Sequence, residues 1–146
     1  MEAITVKIKK LNAAAVIPRQ ENPGDSGFDL FSVVDESLQP GKHCLIPTGI
    51  SIELPPNFEA QIRSRSGLAL KHQVVVLNSP GTIDSGYRGE IGVILINLGS
   101  QLFKIKKHMK IAQMVIKPLL NVRIKVQKSL KRTKRGSCGF GSTDSK

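Results

Sequence analysis

The chain has no tryptophan and a single tyrosine, Tyr87, with five phenylalanines. So few aromatics argue against a module that grips nucleic acid by stacking its bases. Cysteine is equally scarce. Cys44 and Cys138 lie far apart with no Cys-x-x-Cys, so neither a disulfide framework nor a zinc site is expected. No apolar run approaches the roughly 18 residues of a membrane span. The start, Met1 to Lys10, alternates polar and apolar residues and lacks the h-region of a signal peptide. Together these absences fit a reducing, cytoplasmic compartment. Acids are half as numerous as cations, 11 against 22, for a net charge of +11. That balance serves solubility or suits an anionic partner: nucleic acid, a membrane surface or a phosphate-rich small molecule. Its densest part is Arg123, Lys125, Lys128, Lys131, Arg132, Lys134 and Arg135.

What the chain does have is strand pattern. Apolar and polar residues alternate over 4–9, 50–54, 58–63 and 122–126, the period of strands with one wet face. Denser apolar runs at 74–77, 91–96 and 111–116 read as strands buried on both faces. Pro-Gly, Pro-Pro and Leu-Gly-Ser punctuate them. One short helix is expected at about 67–72. At 146 residues, with no internal repeat, the chain is one all-β domain, a sandwich or jelly roll, over 1–126. Residues 127–146 are rich in charge and read as a mobile arm.

Five segments carry possible chemistry. In Asn78 to Glu90, the Ser85-Gly86 pair is a tight-turn signal between two apolar runs, predicting a β-hairpin with Asp84 and Tyr87 on either side of the bend. Rigid placement is what a catalytic carboxylate needs. Arg65-Ser66-Gly67 follows a strand and opens the helix, either as a phosphate cradle or as a plain N-cap by Ser66. Asp29, between apolar neighbours, caps a turn or holds a cation. Gln113 interrupts an apolar strand, either bonded to backbone or touching a ligand. In the arm, glycines flank Phe140, with Arg135, Ser142 and Thr143 suited to phosphate.

Taken together, five motifs in order resemble those of the homotrimeric deoxyuridine triphosphatases (dUTPases): Gly27 to Ser32; Arg65 to Ala69; Asn78 to Glu90; Ile111-Ala112-Gln113; and Arg135 to Thr143. The resemblance spans essentially the whole chain. It implies a distorted jelly roll (the dUTPase-like β-clip) and a three-fold trimer. Each active site would take the third motif from one subunit, motifs one, two and four from a neighbour, and the arm from the third, closing as a lid. It implies Mg²⁺-dependent hydrolysis of dUTP to dUMP and pyrophosphate, which keeps uracil out of DNA and supplies dUMP for thymidylate synthesis.

The roles follow from the resemblance, residue by residue. Asp84 deprotonates a water that attacks the α-phosphorus. Tyr87 lies under the deoxyribose and excludes a 2′-hydroxyl. Asn78, with the backbone around Thr82, Ile83 and Gly92, reads uracil. Arg65, Ser66, Gly67 and Gln113 hold the phosphates. Asp29 holds a water on a magnesium ion that the triphosphate chelates, an arrangement needing few protein ligands. Phe140 stacks on uracil, while Arg135, Ser142 and Thr143 close over the phosphates. His43, His72 and His108 have no part in this scheme and are expected at the surface.

The chain departs from the family pattern in places. Gly86 stands for a common aspartate, Ser64 for a proline, Lys110 for the arginine of a Gly-Asp-Arg, and Cys138 and Asp144 for glycines of the arm. Two rival readings remain. A dCTP deaminase would share the fold and use a glutamate, with Glu90 the nearest candidate. A non-enzymatic basic β-barrel would bind nucleic acid, but lacks the aromatics.

Overall fold

The computed structural model describes residues 3–140. Eleven strands and one helix follow one another as β1 (Lys7–Lys10), β2 (Phe28–Phe31), β3 (Glu36–Leu38), β4 (His43–Pro47), β5 (Ile50–Glu53), β6 (Phe58–Arg63), α1 (Ser66–His72), β7 (Val74–Val76), β8 (Gly81–Asp84), β9 (Gly92–Asn97), β10 (Phe103–Ile105) and β11 (Lys110–Pro118). All pairings are antiparallel. They form a four-stranded sheet in the order β2-β11-β6-β8, a three-stranded sheet β4-β9-β7, and two-stranded ribbons β1-β5 and β3-β10. Among the described residues no helix is long and apolar enough to cross a membrane.

One buried cluster joins the two larger sheets. Leu30, Ala60, Ile62, Ile111 and Met114 from the first and Ile46, Val74, Val76, Val93 and Leu95 from the second belong to it, with Ile50, Ile52 and Leu54 from β5 and the residue that follows it. Strand β6 shows the expected alternation, with Ala60 and Ile62 buried between half-exposed neighbours. Strand β9 departs from expectation. Only Val93, Leu95 and Asn97 are buried, and Gly92, Ile94 and Ile96 are half-exposed, so this apolar run covers one face of the core and leaves the other open. Helix α1 ends at Gln73, whose left-handed backbone (φ 53°) lets its N–H bond back to Ala69 and Leu68, a C-terminal cap. Lys71 and His72 sit in the last turn, where the helix dipole favours positive charge.

Two further expectations fail. The segment 122–126 forms no strand: Val122, Ile124 and Val126 are 71, 94 and 94% exposed, because every sheet of the subunit ends before they are reached. The Asp84–Tyr87 bend does not join a ladder either. β8 pairs with β6, while β9 pairs with β4 and β7. The two apolar runs that suggested a hairpin, 74–77 and 91–96, do pair with each other as β7 and β9 of one sheet, but the segment between them carries β8 across to the other sheet.

Candidate functional site

That separation of β8 from β9 opens a slot. A cavity of about 540 Å³ is lined by Thr82, Ile83, Asp84 and Tyr87 on one side and by Leu45, Pro47, Gly92 and Ile94 of the other sheet. Had β8 and β9 been bonded to each other, their backbones would have stood roughly 4.8 Å apart and no ligand would fit between them. At Gly92 a β-carbon would come within 2.6 Å of Leu45 Cδ1, so Leu45 covers bare backbone there.

The bend at the mouth is closed locally. The Tyr87 N–H donates to the Asp84 carbonyl (3.0 Å), and the Tyr87 hydroxyl donates to the Glu90 carbonyl (2.9 Å). Arg88 donates to the Ser85 carbonyl at 2.6 Å. The Asp84 carboxylate is left exposed at the rim. Gly86 has an ordinary φ, and nothing lies within 4 Å of where a β-carbon would stand, so the bend accepts a larger residue there as readily as glycine. Glu90 is held by the fold, since its carboxylate accepts the Gly49 N–H at 2.7 Å. Gly49 needs that support, for its φ of 70° and its β-carbon position, within 3.0 Å of Ala15 and Val33, both demand glycine. That bond gives Glu90 a structural part in holding the Gly49 turn.

A second cavity, about 570 Å³ and predominantly polar, lies beside β2 and β11. Here Asp29, Arg65, Ser66, Gly67 and Gln113 come together, as the motifs required. Arg65 Nε stands 3.3 Å from Asp29 Oδ1, and Lys110 Nζ 2.9 Å from Asp29 Oδ2; Lys110 also pairs with Glu21. Hydrogen bonds from Lys110 to Asp29 and then to Glu21 hold the lysine above its ordinary pKa. Lys110 therefore places a cation where the family pattern has arginine. Gln113 Nε2 donates to the Ser64 carbonyl at 2.9 Å, and the Ser64 hydroxyl accepts the Val76 N–H at 2.9 Å, a bond that proline at 64 would forgo. Ser66 is not an N-cap. Arg65 occupies the cap position without a side-chain bond, and Ser66 is the first helical residue, exposed with its hydroxyl free for a ligand.

Lys110 and Gln113 share this cavity because of a bulge. Residues three apart on a regular strand point to opposite faces. The β11–β2 register shifts between Lys110 and Ala112, inserting one residue and returning both side chains to the same side.

The structure does not bring Asp84 to these residues within one chain. Asp84 is opposite Glu59 and Gln113 is opposite Arg63 on β6, which lies between their strands. Four residues along and two strands across amount to about 16 Å between their α-carbons. Asn78 is outside the slot lining; its amide lies beside Gly81, 3.2 Å from where a β-carbon would stand. Arg135 and Phe140 lie on the exposed arm: Arg135 Nε donates to the Cys138 carbonyl at 3.0 Å, and the Phe140 ring is fully exposed. Ser142, Thr143 and Asp144 lie outside the described residues. His43, His72 and His108 are exposed, as expected.

Sequence reasoning did not single out Glu21, Asp25 and Ser26 in the polar cavity, nor Leu45, Pro47 and Ile94 in the slot. Glu21 and Asp25 carried one faint signal, acids in a Pro-Gly loop just before Asp29. Leu45 and Ile94 carried none, since half-exposed apolar strand residues look alike in any sequence.

No group of three or more His, Cys, Asp or Glu side chains suited to a metal occurs among the described residues. An ion brought by a triphosphate needs less. Each Asp29 oxygen makes one ion-pair contact and retains lone-pair capacity for a metal-bound water, so the donor set fits an outer-sphere role.

An all-β fold with an acid at the rim of a mostly apolar slot, and with a second, cation-bearing polar cavity, gives the chain the two kinds of surface that suit the base and the phosphates of a nucleotide. A family profile described as dUTPase matches residues 13–144. The deoxyuridine 5′-triphosphate nucleotidohydrolase of Clostridium tetani is 60% identical over 143 residues, covering 98% of this chain and 99% of that protein. That of Gloeothece citriformis is 59% identical, covering 94% and 95%. A solved structure of a mutant dUTPase of Staphylococcus bacteriophage 80alpha with dUpNHpp superposes with a TM-score of 0.86 at 26% identity, covering 95% of this chain and 98% of that one. The chain belongs to the dUTPase family.

Proposed function

We propose that the protein hydrolyses dUTP to dUMP and pyrophosphate, with water attacking the α-phosphorus. The observation that carries this reading is the placement of Asp84 and Tyr87 at the rim of a slot lined by Thr82, Ile83 and Gly92. Asp84 takes a proton from the attacking water as its oxygen bonds to the α-phosphorus and the bond to pyrophosphate breaks. The slot takes uracil, and the backbone around Thr82, Ile83 and Gly92 reads the base; a site that hydrogen-bonds a base edge rejects analogues that leave buried polar groups unpaired. Tyr87 supports the deoxyribose, and Asn78 fixes the start of β8. Arg65, Ser66, Gly67 and Gln113 hold the phosphates, with Lys110 adding charge. Phosphoryl transfer of this kind depends on alignment and charge neutralisation more than on covalent help. Asp29 would hold a water of a Mg²⁺ carried in by the triphosphate, an ion that would supply charge neutralisation for the leaving pyrophosphate.

The distance between Asp84 and Gln113 favours a shared site. About 16 Å is too far for a water activated by Asp84 to reach a phosphorus held by Gln113 of the same chain. A homotrimer in which the slot of one subunit faces the polar cavity of the next removes that gap. Residues 1–126 act as the β domain, and 127–146 as an arm whose Arg135, Phe140, Ser142 and Thr143 close over a neighbour's site. The pattern supports this: Val122, Ile124 and Val126 keep strand periodicity with no sheet of their own to join. A cytoplasmic enzyme, where dUTP is made and consumed, agrees with both cysteines being unpaired.

Hydrolysis of dUTP with Mg²⁺ in ¹⁸O-labelled water tests the reaction. Label in dUMP alone is expected; label in pyrophosphate, or intact dUTP, would overturn the assignment.

A further inference from the structure

The charge of +11 is not evenly spread. Through residue 90 the sequence holds ten acids against nine lysines and arginines; from Ile91 to Thr143 it holds twelve lysines and arginines and no acid. Seven of those twelve fall between Arg123 and Arg135. Every residue of that stretch is exposed, and none of its cations has an ion-pair partner among the described residues. In the polar cavity, by contrast, Arg65 and Lys110 are both paired with acids.

The catalytic reading does not account for these cations. It uses Arg135 and leaves six others, Arg123 to Lys134, without a role. A nucleoside triphosphate presents about four negative charges on three adjacent phosphates, too compact a target for six cations spread along twelve residues. An acid-free row of cations on extended chain, reaching up to about 40 Å over twelve residues, matches a long polyanion rather than a small molecule.

The chemistry also selects among polyanions. The only aromatic in the described part of the arm is Phe140, so base stacking contributes nothing between 123 and 134. Attraction to the sugar-phosphate backbone needs no aromatic and no base contact. A membrane surface calls for an apolar face beside the charge. Among the cations from Lys128 to Lys134 the only large apolar residue is Leu130, and Val122, Ile124 and Val126 have the period of a strand that packs on protein.

We propose that residues 123–134 form an electrostatic arm that binds the phosphate backbone of nucleic acid without regard to sequence. This stands apart from the catalytic reading, since none of these residues is placed in the site.

Fluorescence anisotropy of labelled duplex DNA, titrated with the full-length protein over a range of salt, tests it. The comparison is with the variant in which Lys125, Lys128, Lys131 and Arg132 are all replaced by glutamine, with dUTP turnover of both proteins measured in parallel. Each backbone contact adds about 0.9 to the slope of log affinity on log salt. The wild type should bind two unrelated duplexes alike. The variant should show a slope shallower by about 3 to 4, and bind about a hundred-fold more weakly at the lowest salt, while its turnover stays within about twofold. Equal slopes for the two proteins, or no binding at low salt, would overturn the proposal. So would binding that the variant loses on phosphatidylserine vesicles but not on DNA, which would make the arm a membrane contact.

Discussion

The ring of Tyr87 rests directly on the backbone of Gly89. A β-carbon at 89 would come within 2.3 Å of the phenolic oxygen and 2.5 Å of Cζ, so the ring keeps its place only because residue 89 has no side chain. With its hydroxyl on the Glu90 carbonyl, this fixes the ring at the rim of the slot beside Asp84.

Gly89→Ala therefore displaces Tyr87 while leaving the core intact. Because Tyr87 is the only tyrosine and tryptophan is absent, the near-ultraviolet tyrosine signal reports this one ring. That band is expected to change, and kcat/KM for dUTP to fall about a hundred-fold, the scale of an ångström misplacement in a site. An unchanged band with full activity would show that the ring plays no positioning part.

Asp84→Asn removes the proposed base and keeps the size and the exposed position of the side chain. Turnover is expected to fall by about 10² to 10⁴, the usual contribution of general base catalysis, with dUTP affinity within a few-fold of wild type. Isothermal titration with a non-hydrolysable analogue and a pyrophosphate assay separate the two quantities. Hydrolysis at the original rate would exclude Asp84 as the base.

Gly27→Ala tests the phosphate cavity from behind. A β-carbon at 27 would meet Gln113 Oε1 at 2.2 Å, driving the amide from its bond to the Ser64 carbonyl. Losing a hydrogen bond to a charged group costs about 1.5 to 3 kcal/mol, so KM for dUTP is expected to rise by about ten-fold to a hundred-fold. Gln113→Ala should reproduce that rise; a normal KM in both variants would remove Gln113 from phosphate binding.

Deleting residues 135–146 takes away the proposed lid and leaves all eleven strands in place. Light scattering is expected to report three chains for both the truncated and the intact protein, and turnover to drop in the truncated one. Full-rate hydrolysis without those residues would refute the lid, and an active monomer would refute the shared site.

The elements with local signatures were legible in the residues. Alternation places β5 and β6 almost to the residue, the short helix expected at about 67–72 is Ser66–His72, and the order of five motifs points to the family. Gly27 and Gly89 fall inside motifs, but why they and Gly49 must be glycine was not legible, since what excludes a side chain at each is a neighbour met only on folding.

Periodicity along a strand is a property of consecutive residues, and so is the chemistry of a motif; both were present before any folding. Partnership is not. That β8 leaves β9 for β6 and so opens the slot, that a bulge at Ile111 turns Lys110 toward the cavity of Gln113, and that Val122 to Val126 find no sheet in their own subunit all depend on which distant segments lie alongside. Strand pairing is set by hydrogen bonds and packing between residues far apart in the chain, whose free energy no short stretch of sequence contains.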